Sequence, residues 1–532
     1  MEKSFDAEER LQVSATLKTI SNNGYFYVED IWYRNLTPEQ QKTFDAGLSA
    51  MTNEFETTIY PQLTTIYGAE WKPGIDNDPR VTVLMHQMRK GAAGYFRTQD
   101  EMPALQAPGS NEREMVYLNA QAPFYDLAKS YLAHEFTHLI TYNQKDRLRG
   151  VEEEVWLNEA RAEYAPTLLG YNDEYQGSYL EQRVKNFIDN PRDSITEWTG
   201  VEDDYGALDV FMHYFTERYG VGVLADSLRS RSKGIVSLDA SLKKYGFDKS
   251  FAEIFTDWTI AVFLNDCSFG PDYCFQRQSL RKVKVAPSLV LLPNVQESNF
   301  GLTYPAKPWG GSWYRFMGGT GRLDLQFQDD SKVAFKIPYV LCPSNGVCSI
   351  NYLNLDQNGT GRLSFADFSG EFSSLTLIPS IQSKIQGFDG LEPSYNFSLL
   401  LKTKDEQSEA RRIAQLEQQL AELQDKIIQV KAQITRLLAQ KSMPADCRPA
   451  FEQTILLGSS GDSVKCLQEF LSEQGSDIYP EGIISGFFGT LTRQAVIRFQ
   501  QKYASEILAP LGVSAPTGVV GPATLAKIKT LL

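Results

Sequence analysis

Hydrophobic residues follow three rhythms along this 532-residue chain. Up to residue 285, helical and strand-like spacings are mixed. Val81–Met85 reads as a strand, and Tyr131–Ile140 carries apolar positions at helical spacing. Between 286 and 402 the rhythm shortens. The β-prone runs Ser288–Leu292, Arg322–Phe327, Lys332–Ile337 and Phe397–Leu401 alternate with Gly, Asp, Asn and Pro breakers, which predicts a β-sandwich. From 403 to 441 the pattern is heptad. Ile413, Leu420, Ile427 and Ile434 hold one position, and Leu416, Leu423, Val430 and Leu437 hold the other. Ile at a with Leu at d favours a parallel two-stranded coiled coil, hence a homodimer through residues 413–437. The competing reading is a single amphipathic helix lying on a neighbouring domain.

A break at Ser442–Pro449 opens the last region, 442–532. Three glycine signals occur there in order: Gly458 to Gly461, Gly486 to Gly489, and Gly518 to Gly521. Each is followed by apolar residues at helical spacing, which predicts a small three-helix domain. Thr492 and Thr524 are placed to help cap two of the helices. The expected organisation is therefore a mixed α+β domain (1–285), a β-sandwich (286–402), a coiled-coil or helical stalk (403–441) and a small helical module (442–532).

A formal net charge of −14 argues against nucleic acid as a main partner, because phosphate binding needs clustered Lys and Arg. No apolar stretch is long enough for a transmembrane segment. The start, Met1–Arg10, is polar and acidic and is not a signal peptide as it stands. An exported protein would thus have lost its leader, the alternative being a protein kept inside the cell. The cysteines favour export. Six fall in three close pairs, Cys267 with Cys274, Cys342 with Cys348 and Cys447 with Cys466. Local pairing reads as three disulfides formed in an oxidising, extracytoplasmic compartment. Free core thiols are the alternative. A zinc ribbon is disfavoured because no CxxC is present.

The chemistry lies in Tyr131–Ile140, which contains His134-Glu135-Phe-Thr-His138. Two histidines four apart share a helix face and can grip one ion. Glu135 is offset so that it can reach a metal-bound water without ligating the metal. Zinc brings the pKa of that water toward neutrality, and a carboxylate then removes the proton. A catalytic zinc usually takes three protein ligands. Downstream, Trp156-Leu-Asn158-Glu159-Ala-Arg-Ala-Glu163-Tyr164 supplies Glu159 as the third ligand, with Glu163 one turn on to hydrogen-bond a ligand histidine. Glu163 is also the alternative ligand. Only four histidines are present in the chain, and two stand in this motif. His86 reads as structural or exposed, with no acidic neighbour in sequence, and His213, in an aromatic run, reads as structural.

His134–His138 followed by Asn158–Glu159 resembles the gluzincin zinc peptidases of the thermolysin-like clan. The flanks Glu112–Asn119 and Trp156–Tyr164, and Asp204-Tyr205-Gly206 running into Phe211–Tyr219, resemble the hyicolysin-type branch. Where that branch commonly has Gly after the ligand Glu, this chain has Ala160. The resemblance implies a zincin-like α+β catalytic domain and a zinc metalloendopeptidase acting on protein or peptide substrates. It makes Glu135 the general base and acid, and the stretch around Tyr117 the edge strand that aligns the substrate. Asn158 belongs to the same motif, beside the ligands. Hydrolysis also needs a donor to the oxyanion, for which Tyr205 and His213 are the candidates, Tyr205 with a packing role and His213 with a structural role as the alternative. The three glycine signals resemble the peptidoglycan-binding domain of bacterial wall hydrolases, which implies peptidoglycan as a partner. A secreted, wall-associated zinc endopeptidase is the leading expectation. A zinc hydrolase of peptidoglycan cross-bridges and a non-catalytic wall-bound adhesion or assembly protein are the alternatives.

Overall fold

The structure, a computed structural model, describes residues 1–388, 390–405, 409–440 and 447–532. Within the helix Glu409–Gln440 the side chains of Ile413 and Leu437 lie outside the described residues, as do residues 442–446 of the expected break. The chain divides into two compact units, Met1–Ser408 and Glu409–Leu532. It is multidomain and mixes helix and sheet, with a small helical domain at the C-terminal end.

The first unit opens with a five-stranded sheet of β1 (Ala15–Ile20), β2 (Gly24–Glu29), β3 (Val81–His86), β4 (Gly94–Phe96) and β5 (Met115–Asn119). Their spatial order is β1-β2-β3-β5-β4. The pairs β2/β3 and β3/β5 are parallel and central, so β3 reads as an almost unbroken apolar run and is almost wholly buried. The last strand, β4, pairs antiparallel to β5 and forms the edge. Helices from Ala128 to Leu264 pack beside the sheet around one core that includes Phe136, Trp156, Phe211 and Trp258, all 0% exposed.

Residues 288–404 form a β-sandwich. One sheet contains β6 (Ser288–Leu292), β8 (Tyr314–Gly318), β11 (Pro338–Pro343), β12 (Ser349–Tyr352) and β14 (Phe372–Leu377). The facing sheet contains β7 (Glu297–Ala306), β9 (Arg322–Asp329), β13 (Thr360–Phe365) and β16 (Tyr395–Lys404). In β9 and β16 buried residues alternate with less buried ones, as a half-covered strand requires. The expected run Lys332–Ile337 is shorter: Lys332 has φ +56°, and only Phe335–Lys336 (β10) is extended, pairing with β15 (Ser380–Ile381).

The change of architecture near residue 285 is not a separation. Trp309 and Trp313, at 0% and 1% exposure, leave the sandwich and enter the helical core. The Trp313 indole N–H donates to the Thr259 carbonyl (2.9 Å), and Gln382 Nε2 donates to Thr256 Oγ1 (2.8 Å). Two of the disulfides, Cys267–Cys274 and Cys342–Cys348, belong to this unit, and Cys447–Cys466 to the second. No described cysteine is free.

The second unit holds the long helix Glu409–Gln440 and the C-terminal domain. That domain has helices Asp462–Glu473, Thr490–Lys502 and Pro522–Leu531 around a core of its own, including Leu467, Phe488, Phe499 and Ile528. Among all described residues, no helix is long and apolar enough to cross a membrane.

Candidate functional site

His134 and His138 arrive on one face of the helix Ala128–Thr141, and the helix Val155–Leu168 lies against it and delivers Glu159. The two Nε2 atoms are 3.1 Å apart. Glu159 Oε2 lies 3.3 Å from His134 Nε2 and 3.5 Å from His138 Nε2. This oxygen is buried and has no hydrogen-bond partner. Tetrahedral ligands at ~2.0–2.1 Å from an ion stand about 3.3–3.4 Å from one another. The triangle has that spacing, and two nitrogens and one carboxylate oxygen form a donor set suited to a divalent first-row metal.

Each ring is fixed from behind. His138 Nδ1 lies 3.1 Å from Asn158 Oδ1, and His134 Nδ1 lies 3.1 Å from Glu163 Oε1. His138 Nδ1–H donating to Asn158 leaves its Nε2 lone pair free for the triangle, while His134 Nδ1 has the Glu163 carboxylate at ion-pair range without a hydrogen bond. Of the two candidate carboxylates, Glu159 therefore joins the nitrogens and Glu163 stands behind them. Glu163 is itself held by the Tyr179 hydroxyl (2.8 Å) and by Arg183 Nε (2.6 Å). Sequence reasoning missed Tyr179 and Arg183. They sit on a separate helix, Tyr179–Asp189, and nothing in their local pattern points to the motif.

Glu135 faces the edge strand. A Cβ added to Gly94 would stand 2.8 Å from Glu135 Cγ and Oε1 and from the Tyr117 carbonyl, so only bare backbone fits between strand and carboxylate. Burial pushes the Glu135 carboxyl up to about 7, with the two histidines pulling the other way. Burial also works against the Glu159 carboxylate, but His138 and then His134 hold it well below the usual range. A cleft of about 450 Å³ opens over the triangle, with β4, Glu135 and Tyr205 among its walls.

Tyr205 lies on the helix Glu202–Tyr219, with its ring centroid 6.4 Å from that of His134. The Arg183 guanidinium lies 4.3 Å over its face and Trp198 meets it edge-on at 4.7 Å. Burial, then the nearby glutamates, keep its pKa far above neutrality, so the hydroxyl stays protonated and able to donate. Trp198 is in turn tied to the sandwich, its backbone N–H donating to the Gly390 carbonyl (3.2 Å).

The expectation for Tyr117 is corrected. Its strand, β5, is paired on both sides, by β3 and by β4, and is not an edge. Tyr117 is 0% exposed and its hydroxyl donates to Asp100 Oδ2 (2.6 Å). The apolar run Met115–Leu118 belongs to a covered strand, and the short glycine-led β4 takes the open position beside the cleft. His86 is buried and does have an acidic neighbour, Asp6 Oδ2 at 3.3 Å, brought from the start of the chain. His213 is buried away from the cleft, 2.8 Å from Thr167 Oγ1.

In the C-terminal domain one hydrogen-bond pattern occurs twice. Gln468 Nε2 donates to the Phe487 carbonyl (2.9 Å) and Thr492 Oγ1 (2.9 Å), and its Oε1 accepts from Gly486 N–H (2.8 Å). Gln500 does the same with Val519 (2.8 Å), Thr524 (2.9 Å) and Gly518 (2.9 Å). Thr492 and Thr524 thus receive a buried glutamine and do not cap. The N-cap residues are Gly489 and Gly521, which have no side chain to offer. Residues 460–507 match the peptidoglycan binding domain family. This domain and the disulfides are together consistent with an extracytoplasmic, wall-associated protein.

A search of the curated proteins returns no match. Among solved structures, the pre-peptidase C-terminal domain of collagenase from Bacillus anthracis is 11% identical over 22% of this chain and 94% of its own, with a TM-score of 0.16. The periplasmic inhibitor of g-type lysozyme from Salmonella Typhimurium is 11% identical over 22% of this chain and 100% of its own, with a TM-score of 0.14. The Yersinia pseudotuberculosis-derived mitogen is 11% identical over 21% of this chain and 91% of its own, with a TM-score of 0.15. Overlaps this small carry no functional argument.

Proposed function

We propose that the protein is a zinc endopeptidase, exported and held at the bacterial cell wall by its C-terminal domain. The observation that supports this reading is the convergence of His134, His138 and Glu159 at ligand spacing beneath a cleft that also presents Glu135 and Tyr205. Zinc held by that triangle would supply Lewis acidity, polarising the scissile carbonyl and bringing the pKa of water toward neutrality. Glu135 accepts the proton of the attacking water and returns it to the leaving amine, the work of a general base and acid. Tyr205 donates its hydroxyl hydrogen to the oxygen on which negative charge develops. The substrate backbone lies along β4, whose outer edge is unpaired by any described strand.

A second reading, hydrolysis of peptidoglycan cross-bridges by the same site, is favoured by the wall-binding domain alone. The heptad helix adds a homodimer through residues 413–437 to the first reading. Its described seam residues Leu416, Leu420, Leu423, Ile427, Val430 and Ile434 are each 49–57% exposed. The test is to measure metal content and digestion of an unstructured protein and of purified wall side by side. Zinc at one per chain with cleavage of the protein supports the endopeptidase. Release of cross-bridge amines from wall alone replaces it with the second reading. No metal and no cleavage of either overturns both.

A further inference from the structure

Away from the cleft, two acidic side chains are buried face to face. Glu101 ends the 3-10 turn Thr98–Glu101 that follows β4, and Glu114 immediately precedes β5. Each is 2% exposed. Glu114 Oε1 accepts the Ile75 N–H at 2.7 Å. Glu114 Oε2 and both oxygens of Glu101 are buried without a hydrogen-bond partner. Each carboxyl acts on the titration of the other. Among the described residues no ion pair joins either one. Arg97 lies 3.5 Å from Asp100 and Arg113 lies 4.0 Å from Asp76. A separate feature points to the same spot. Gly74, at φ +91°, lies so close that a Cβ there would be 1.8 Å from Glu114 Oε2. Bare backbone is folded around this oxygen.

A buried carboxylate needs a counter-charge or a proton. One proton shared between the two glutamates would satisfy two oxygens, the one that carries it and the one that accepts it. Three are orphaned here. A cation between them meets all three at once. An all-oxygen carboxylate set selects a hard ion, and irregular coordination completed by water or backbone carbonyls suits calcium better than magnesium. We propose that Glu101 and Glu114, closed in by the bare backbone at Gly74, bind a calcium ion. Burial first, then the charge of Glu114, pushes the Glu101 carboxyl up to about 10.

The ion would tie three segments together: the turn after β4, the start of β5 and the loop at Gly74–Ile75. Arg97, just before that turn, and Thr98 and Gln99, within it, line the cleft. Calcium therefore fixes one wall of the cleft from behind. The inference is independent of the hydrolase reading, because none of its residues belongs to the metal triangle.

The experiment uses the full chain, kept zinc-replete. Equilibrium dialysis measures bound calcium, and thermal melting is followed as calcium or magnesium is added. The expected result is one calcium per chain and a Tm higher by several degrees with calcium, with a smaller rise for magnesium. Glu101→Gln and Glu114→Gln should each abolish both the bound ion and the calcium-dependent rise. Absence of bound calcium in the wild-type protein overturns the proposal whether or not the variants fold. It is equally overturned if Glu101→Gln is as stable as wild type or more so while calcium leaves the wild type unmoved, since the pair would then share a proton. A calcium shift that survives in both variants places the ion elsewhere and also overturns it.

Discussion

At the scale of single residues, the site is a set of side chains whose partners fix what each can do. Tyr205 is held from two directions, by Arg183 over its face and Trp198 at its ring, and it lines the cleft. A donor to a developing oxyanion acts mainly in the transition state. Tyr205→Phe should therefore lower kcat by about 10²-fold while leaving KM within a few-fold. Steady-state kinetics on a soluble peptide checks this, and unchanged kcat makes Tyr205 a packing residue. The histidine pair and Glu135 could be singled out in the sequence because spacing along one helix is local information, whereas Glu159, on a second helix, was singled out by its downstream motif. Arg183 and Gly94 were not. Their roles depend on which helix and which strand come to lie beside the motif, and that is settled by tertiary packing.

At the scale of elements, order along the chain misled in one place. Met115–Asn119 has the flanks of a substrate-aligning strand, yet it lies inside the sheet, and β4, three residues long, is at the edge. A short strand led by glycine has too little apolar pattern to stand out, and only the pairing reveals it. Elsewhere element patterns carried well: three of the four β-prone runs form strands covering the residues expected, because alternation reports burial directly. Gly390 shows how a residue of the sandwich region bears on the site, since its carbonyl anchors Trp198 beside Tyr205. Trp198→Ala should lower kcat about tenfold through a misaimed Tyr205. In a Tyr205→Phe background it should cost little more, a non-additivity that a purely structural role for Trp198 would not produce. The heptad helix makes its own prediction. The full chain should sediment as a dimer of 59.9 kDa protomers, and Ile427→Lys, which puts a charge into the apolar seam, should return it to a monomer. A wild-type monomer at micromolar concentration removes the coiled coil.

At the scale of the whole molecule, two compact units divide the labour. The first contains His134, His138 and Glu159 with the cleft over them, and the second contains the residues that match the peptidoglycan binding domain family. Removing residues 409–532 should leave hydrolysis of a soluble peptide unchanged, while sedimentation with purified wall falls to background. The physical basis is effective concentration, because a domain that holds the enzyme on its surface turns later encounters into near-intramolecular ones. Undiminished sedimentation of the truncated chain would assign anchoring to the first unit. The sequence divided the chain into four by rhythm, but periodicity does not report shared burial. Trp309 and Trp313 join the sandwich to the helical core, so these two regions form one body. The most direct measurement is the turnover and zinc content of the full chain beside those of Glu135→Gln. Glutamine keeps the shape of the side chain and leaves the three ligands in place, but it cannot accept the proton of water. Zinc should stay at one per chain while turnover of an unstructured protein falls by at least about 10²-fold. Turnover retained at wild-type level with zinc in place would contradict the assignment of this cleft as the site of peptide hydrolysis.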